Sequence, residues 1–301
     1  MNNQNNEKLN KLLDMFSSKL TLLSNYGLEL MKQLAQTGPL KTEHIPIVLS
    51  LRHSMELLEG ISILIKNNLA DPSLFLLRGI FESVIQTSYI LDKDTCKRGT
   101  AFMYYDLLNN IEWHENIDVT TQKGRSFLSL LEKDIYTRSM KLNKPEDYNE
   151  KLASLKKQRK NSTYSEVHAE YEKQKLHGKR VNKWFSLFNG PKNIEQVATN
   201  VGLGGTYQIF YRQLSEAVHG TGIIRGKVFS DAGKGSILDI KAPYNIQYVV
   251  STSISLSGHL FLKIIDSMCP EKRPEYRDFY IREIREISLR VSKQDYIKIN
   301  M

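Results

Sequence analysis

Four polar side chains in the stretch Thr206–Gly220 have the residue types and the spacing of a site that binds phosphate and transfers protons. They are Arg212, Ser215, Glu216 and His219. The apolar residues of the stretch recur with the period of an α-helix, and spacings of three, four and seven residues place the polar four on one face. An arginine stays charged and can bind phosphate oxygens, whereas a histidine titrates near neutral pH. This face can therefore bind a phosphate and move a proton beside it.

These residues suit the cleavage of RNA without a metal ion. That reaction needs a group that moves protons at the 2′-hydroxyl and at the leaving oxygen, and a cation that stabilises the charge developing on phosphorus. His219 has the first property and Arg212 has the second. If two copies of the helix faced each other in a homodimer, the site would hold two of each. The first hypothesis is a metal-independent endoribonuclease.

A metal site is a weaker alternative for the same helix. Glu216 and His219 form a Glu-x-x-His element of the kind found in di-iron helical bundles, which need a second such element. None of the other six histidines has a glutamate three residues earlier, although His53 and Glu56 share one helical turn. We therefore expect no metal and no cofactor. A third possibility is purely structural: Arg212 pairs with a glutamate, Glu82 or Glu216, and His219 caps the helix end.

The rest of the chain must position this helix, and its pattern predicts an all-α, multi-helix bundle. Prolines are few, at eight in 301 residues, and apolar residues recur with helical period over long stretches. The predicted helices cover about residues 4–36, 42–69, 71–91, 94–116, 120–141, 243–268 and 274–291. Between the motif and the last two helices, glycine and β-branched residues predict a short Gly-rich loop or a hairpin turning at Asp231–Gly235.

The third predicted helix contains two charges that could belong to the site. Asp71 as N-cap and Pro72 at the first helical position predict where it begins. The helix is apolar on nearly every face, which is typical of the middle of a bundle. Arg78 and Glu82, four residues apart, are its only formal charges after the first turn. They form either an internal ion pair or a border of the pocket that contains Arg212 and His219.

Positive charge is concentrated in one segment. The net charge is +9, and residues 141–183 contain twelve Lys or Arg against six Asp or Glu. Such a segment indicates an anionic partner, RNA first, although a solvated charged helix has the same composition. We expect a protruding helical insertion with a break at Asn161–Thr163. The candidate RNA-binding cations are Lys156, Lys157, Arg159, Lys160, Lys179, Arg180 and Lys183.

Composition also bounds the compartment and the domain organisation. Cys96 and Cys269 lie in no motif, which favours a reducing cytoplasm. The apolar run 72–91 contains charges, which indicates a buried helix rather than a membrane span. We expect a single domain of residues 1–301. Its parts are an N-terminal helix (1–40), a bundle core (41–140 and 190–301) and the basic insertion (141–189).

The string from Arg212 to His219, Arg followed by six residues and His, resembles the Arg-x(4–6)-His motif of the HEPN superfamily (higher eukaryotes and prokaryotes nucleotide-binding domains). Members are helical bundles, and many are dimeric metal-independent ribonucleases of toxin–antitoxin, abortive-infection or CRISPR-linked defence systems. The resemblance implies RNA as substrate, a homodimer, and an antitoxin or defence-system partner.

A broader resemblance covers about residues 40–270. The segments Leu69–Leu91 and Tyr211–Gly220 are similar to the two signature segments of a bacterial family known as domain of unknown function 5677. Its pattern has Arg-x-x-x-Glu, here Arg78 and Glu82, and a later Tyr-Arg-x-Leu-Ser-x-x-x-His, here beginning at Tyr211. The resemblance implies that Arg78, Glu82, Arg212, Ser215 and His219 converge on one site.

Together these observations predict a role for each catalytic candidate. His219 is the acid and base, Arg212 binds the scissile phosphate and Ser215 orients it. Arg78 and Glu82 support the site. The alternative is a non-catalytic module that binds nucleic acid or a partner protein, in which Arg212 and His219 only stabilise the bundle.

Overall fold

The computed structural model describes residues 3–36, 40–176, 183–218, 227–231 and 234–292, with the backbone alone at 3–5, 216–218, 229–231 and 234. These residues are mostly helical, which confirms the predicted all-α multi-helix bundle. They form two compact units, one of residues 1–94 and 194–301 and one of residues 95–193. Residues 95–140, assigned to the bundle core from sequence, therefore lie with the basic segment in the second unit. The single domain stays a prediction.

In chain order the α-helices are α1 (Asn3–Gln36), α2 (Ile45–Lys66), α3 (Ala70–Asp92), α4 (Thr95–Ile117), α5 (Gln122–Lys133), α6 (Tyr148–Arg159), α7 (Ser165–Leu176), α8 (Ile194–Asn200), α9 (Gly204–Thr206), α10 (Arg212–Val218), α11 (Ile246–Met268), α12 (Arg273–Phe279) and α13 (Arg285–Ser292). Short 3₁₀ segments occur at Thr42–His44, Ser162–Tyr164, Trp184–Asn189 and Pro270–Lys272. Two π-helical turns occur at Tyr207–Tyr211 and Tyr280–Ile284. The strands are β1 (Val228–Asp231) and β2 (Lys234–Ile237).

The core of the first unit lies between its long helices. α1 packs on α2, α2 on α3, α3 on α11, and α11 on α13. Large side chains such as Phe16, Phe81 and Phe261 are fully buried there. α1 approaches its neighbours closely at Gly27, where a Cβ atom would lie 2.1 Å from Met55 Sδ. A larger residue at that position would therefore require the side chains of Met55 and Phe261 to move.

The start of α3 differs from the sequence prediction. The helix begins at Ala70, one residue before the predicted N-cap Asp71, and Leu69 occupies the cap position without a side-chain hydrogen bond. The Asp71 carboxylate is used in tertiary contacts instead: it accepts from Asn245 Nδ2 at 3.2 Å and pairs with Lys227 Nζ at 3.0 Å. These contacts tie the start of α3 to the segment that follows the motif helix.

The segment that follows the motif contains a hairpin. β1 and β2 are antiparallel, with Val228 opposite Ile237 and Phe229 opposite Ser236. Of the two predicted alternatives, loop or hairpin, the structure shows the hairpin within residues 227–231 and 234–237.

The second unit contains the basic segment. α6 and α7 are separated by a short 3₁₀ turn at Ser162–Tyr164, next to the predicted break at Asn161–Thr163. α5 ends at Lys133, earlier than the predicted end near 141, because Asp134 is extended and its carboxylate accepts from the backbone N–H groups of Tyr136 and Thr137. Trp184 is buried and packs edge-on against Phe102 of α4, at 5.3 Å between ring centroids, as an aromatic anchor would.

Two helices among the described residues, α3 and α11, are long and apolar enough to cross a membrane by length and composition. In both, more than half of the apolar stretch is buried, at 56 % and 61 %. Core helices of soluble proteins commonly share these properties.

Candidate functional site

The candidate site is built on one continuous helix in the first unit. α9, the π-helical turn and α10 follow one another without a break over Gly204–Val218, which we call the motif helix. Tyr211 and Leu214 are buried, Ser215 is half-buried, and Arg212 is exposed. The π-helical turn has i→i+5 hydrogen bonding and so inserts one extra residue just before Arg212, a feature often found at functional sites.

Tyr211 joins the motif helix to the two charges of α3. Arg78 Nε donates to Glu82 Oε1 at 3.1 Å, across one turn of α3. Arg78 Nη2 donates to the Tyr211 hydroxyl at 2.9 Å, and that hydroxyl donates to Glu82 Oε1 at 2.7 Å. The guanidinium carbon of Arg78 also lies 4.9 Å from the centre of the Tyr211 ring. We call these three residues the Arg–Glu–Tyr cluster.

The electrostatics of the cluster favour one fixed protonation state. Burial, and then the hydrogen bond to Glu82, raise the pKa of Tyr211 to about 12. Burial alone would lower the pKa of Arg78, but its hydrogen bonds to Tyr211 and Glu82 outweigh this and raise it. At neutral pH the phenol is therefore protonated and the guanidinium charged. The cluster contains the ion pair that was one of the two predicted alternatives, and it holds the motif helix against α3.

Arg212 lies next to the cluster but outside it. Its side chain is 62 % exposed, and its Nη2 lies 4.0 Å from Glu195 Oε1 on α8. The same carboxylate oxygen accepts from Gln208 Nε2 at 2.5 Å. A long, exposed ion pair contributes little stability, so the guanidinium is accessible to an anion. The structural alternative paired Arg212 with Glu82 or Glu216; the ion pair that the structure describes is with Glu195.

Tyr207 stacks against the cluster. Its ring stacks on that of Tyr211, with centroids 4.7 Å apart and planes 19° from parallel. Burial and then the charge of Glu195 raise the pKa of Tyr207, and the charges of Arg212 and Arg78 act on it in the opposite direction. The stacked pair therefore extends the cluster along the motif helix, with the Arg78 guanidinium against its Tyr211 ring.

Two of the four polar residues that the sequence placed on one face of this helix, Glu216 and His219, have no described side chain. His219 lies outside the described residues, and at Glu216 the backbone alone is described. Ser215 lies half-buried on α10, one helical turn after Tyr211. The catalytic roles of Arg212, Ser215 and His219 stay predictions.

The cations of the basic segment differ in their surroundings. Lys156 pairs with Glu115 at 3.1 Å. Arg159 donates to the buried Tyr104 hydroxyl at 3.2 Å and pairs with Glu172 at 2.5 Å, so it belongs to an internal network of the second unit.

Three of the candidate RNA-binding lysines are open to solvent without an ion pair to a described residue. Lys157, Lys160 and Lys183 are exposed, and none of them forms an ion pair with a residue in the described part of the chain. Lys179 and Arg180 lie outside the described residues.

No group of three or more His, Cys, Asp or Glu side chains that could bind a metal ion occurs in the described ranges. His53 and Glu56, which the sequence placed on one turn, are both exposed. The Glu56 carboxylate pairs with Arg52 at 2.6 Å.

Comparison with known proteins identifies the family. A family model described as a family of unknown function (DUF5677) matches residues 44–235. The chain belongs to this family. The matched range includes α3 and the whole motif helix, so the resemblance predicted from the two signature segments is confirmed. The search of curated proteins and the search of solved structures each found no match.

In this DUF5677 member, sequence reasoning missed Glu195 and Gln208 as neighbours of Arg212. Glu195 belongs to α8, seventeen residues before Arg212, and no periodicity links the two. Tyr211 did have a signal, because it begins the second signature segment, but its hydrogen bonds to α3 could not be deduced from spacing.

Proposed function

We propose that this DUF5677 protein is a metal-independent endoribonuclease of the HEPN type. The observation that supports the proposal is the exposed guanidinium of Arg212 on a helix that the Arg–Glu–Tyr cluster fixes against α3. An exposed cation with little internal pairing, on a helix whose position is fixed, is suited to bind phosphate, because the guanidinium is open to solvent and its backbone is already in place. His219 follows seven residues later, in the Arg-x6-His pattern that resembles the HEPN motif.

The proposed reaction assigns one step to each residue. His219 accepts the proton of the RNA 2′-hydroxyl, and the 2′-oxygen attacks the adjacent phosphorus. The bond from phosphorus to the 5′-oxygen breaks, that oxygen takes up a proton, and a 2′,3′-cyclic phosphate forms. Arg212 binds the non-bridging oxygens while negative charge develops, and Ser215 orients them.

The remaining parts of the proposal have support from the HEPN resemblance. A homodimer would place two motif helices together, so that a histidine of one copy could protonate the leaving oxygen. The protein would act in the cytoplasm as a toxin or phage-defence effector, with an antitoxin or defence-system partner. The exposed lysines of the second unit, Lys157, Lys160 and Lys183, would guide RNA.

The test is RNA cleavage in EDTA by the purified full-length protein and by Arg212→Ala and His219→Ala variants. We expect each variant to lose about 100-fold or more of the cleavage rate, which is the usual contribution of a catalytic acid, base or charge-stabilising group. Matched controls are Arg285→Ala and His53→Ala, which remove an exposed residue of the same type elsewhere in the first unit. Wild-type cleavage by His219→Ala would overturn the proposal.

The alternative is a non-catalytic module that binds nucleic acid or a partner protein. The pairing of Arg212 with Glu195 favours it, since the arginine then has a partner within the protein. In that case the Arg212→Ala and His219→Ala variants would bind RNA or the partner in proportion to the folded fraction, and no variant or wild type would cleave RNA in EDTA.

A further inference from the structure

The first unit contains a cavity of about 440 Å³ that the proposed reaction does not use. It lies beside the motif helix, and residues of α3, the motif helix, α11 and α13 line it. Phe210 contributes from the π-helical turn, and Tyr248, Ser251 and His259 contribute from α11. This volume is within the range of about 300–1,000 Å³ that is typical of small-molecule sites.

The described lining of the cavity is uncharged. None of the lining residues in the described part of the chain is Asp, Glu, Lys or Arg. The one titratable nitrogen base, His259, has its pKa lowered by burial and then by the charge of Lys263, so its ring is neutral at neutral pH. Its Nε2 lies 3.4 Å from the Ser88 hydroxyl. A charged ligand would lose its hydration here without gaining an opposite charge, so the cavity favours uncharged molecules.

The lining also combines aromatic rings with hydrogen-bonding groups. The rings of Phe210 and Tyr248 lie 5.8 Å apart and 20° from parallel. Around them the wall carries the hydroxyls of Ser251 and Thr252 and the amide of Gln247. A flat ring that carries hydrogen-bonding groups matches such a wall, because the ring stacks on aromatic side chains and its edge meets hydroxyls and amides.

The Tyr248 hydroxyl is an independent observation that points to a ligand. It is buried and has no hydrogen-bond partner among the described residues. Burial raises the pKa of Tyr248 to about 12, so the hydroxyl is a proton donor at neutral pH. A buried donor without a partner costs free energy, and a rotation of the Tyr248 side chain, which lines the cavity, would bring the hydroxyl to a ligand acceptor and remove that cost.

We propose that this cavity binds an uncharged nucleoside. Its base lies against Phe210 and Tyr248, and the serine and threonine hydroxyls of α11 bond its polar groups. The nucleoside class combines the three properties that the wall selects: a flat heteroaromatic ring, several neutral hydrogen-bonding groups, and no charge. The 5′-monophosphate of the same nucleoside meets no cation among the described lining residues and binds more weakly.

The experiment is calorimetric titration of the full-length protein with adenosine, guanosine, cytidine and uridine, and with their 5′-monophosphates. We expect at least one nucleoside to bind, and its monophosphate to bind at least about tenfold more weakly. Absence of binding by all four nucleosides, or equal or tighter binding of the monophosphate, would overturn the proposal. No RNA cleavage enters the measurement, so the outcome does not depend on the proposed ribonuclease.

Three variants test the location. Tyr248→Phe removes only the hydroxyl, and we expect binding about three- to tenfold weaker with an unchanged or higher melting temperature, because that hydroxyl has no partner in the described protein. Ser251→Phe fills the cavity and should abolish binding. Ser255→Phe blocks the exposed mouth of the cavity and should also abolish binding, so the location can still be tested if Ser251→Phe folds poorly. The control is Tyr244→Phe, which lies two residues before α11 begins and is not among the lining residues. Wild-type affinity in both filled variants would place the site elsewhere.

Discussion

At the residue scale, the hydroxyl of Tyr211 has two partners on α3: it donates to Glu82 and accepts from Arg78. Both partners carry charge, and both are largely withdrawn from solvent, with side chains 35 % and 21 % exposed. Hydrogen bonds to charged groups are stronger than those between neutral groups. The position of the motif helix on α3 therefore depends on this one oxygen atom more than on any exposed ion pair.

We expect Tyr211→Phe to lower the free energy of unfolding by about 1–3 kcal/mol, because the ring is kept and only two hydrogen bonds to charged groups are lost. Urea denaturation followed by circular dichroism measures the difference. The control is Tyr136→Phe, at a tyrosine that is 85 % exposed, which should change stability by less than about 0.5 kcal/mol. If the two substitutions had equal effects, the cluster would not anchor the helix.

The sequence predicted one half of this cluster and could not predict the other. Arg78 and Glu82 are four residues apart on an apolar helix, and that spacing alone indicates an ion pair. Tyr211 is more than a hundred residues away in sequence, so its hydroxyl could be placed only once the packing of α10 on α3 was known. Periodicity describes contacts within a helix, whereas contacts between helices depend on packing.

At the element scale, the motif helix was likewise predictable from the sequence only in part. Its apolar period predicted a helix from about Thr206, and the structure has a continuous helix over Gly204–Val218. The π-helical turn at Tyr207–Tyr211 was not predicted, because the pattern of apolar residues assumes 3.6 residues per turn throughout. One extra residue changes the angular relation between the parts before and after it by about 100°. With it, Phe210 lines the cavity while Tyr211 reaches the cluster.

Leu214 is the side chain through which α10 enters the core. It is 1 % exposed and lies between Arg212 and Ser215, the two candidate residues on either side. We expect Leu214→Ala to destabilise the protein by about 2–5 kcal/mol, as for other buried leucines, because the cavity it leaves cannot fully collapse. The measurement is again urea denaturation.

The matched control for Leu214→Ala is Leu289→Ala on α13, where the leucine is 50 % exposed. It removes the same atoms from a helix of the same unit and should cost clearly less. A Leu214→Ala protein as stable as the control would mean that α10 does not pack as the structure places it.

At the scale of the whole molecule, charge is distributed unevenly between the two units. The sequence located the excess in residues 141–183 but gave the same weight to every lysine and arginine there. Side-chain contacts distinguish these cations from one another, because Lys144 pairs with Asp118 at 2.6 Å and Arg159 pairs with Glu172 at 2.5 Å. These contacts join residues that are 13 or more positions apart, so they could not be deduced from composition.

Lys157, Lys160 and Lys183, the candidate lysines that are exposed without an ion pair to a described residue, therefore give the sharpest test of RNA binding. We expect a Lys157→Ala, Lys160→Ala, Lys183→Ala triple variant to bind single-stranded RNA more weakly than wild type, and with a smaller dependence on salt. Each phosphate contact contributes about 0.7 to the slope of log affinity against log salt concentration for a single strand, so the slope should fall by about 2. Fluorescence anisotropy with a labelled RNA over a salt series measures it.

The control for that triple variant makes the same change in net charge at other positions. Lys41→Ala, Lys93→Ala and Lys133→Ala together remove three exposed lysines that lie outside residues 141–183. If RNA is attracted by net charge alone, the slope of log affinity against log salt concentration will fall equally in the two triple variants, and residues 141–183 will have no special role. If the basic segment contacts phosphates directly, the slope will fall only in the Lys157, Lys160 and Lys183 variant, because counterions are released only where a lysine replaces them at the strand.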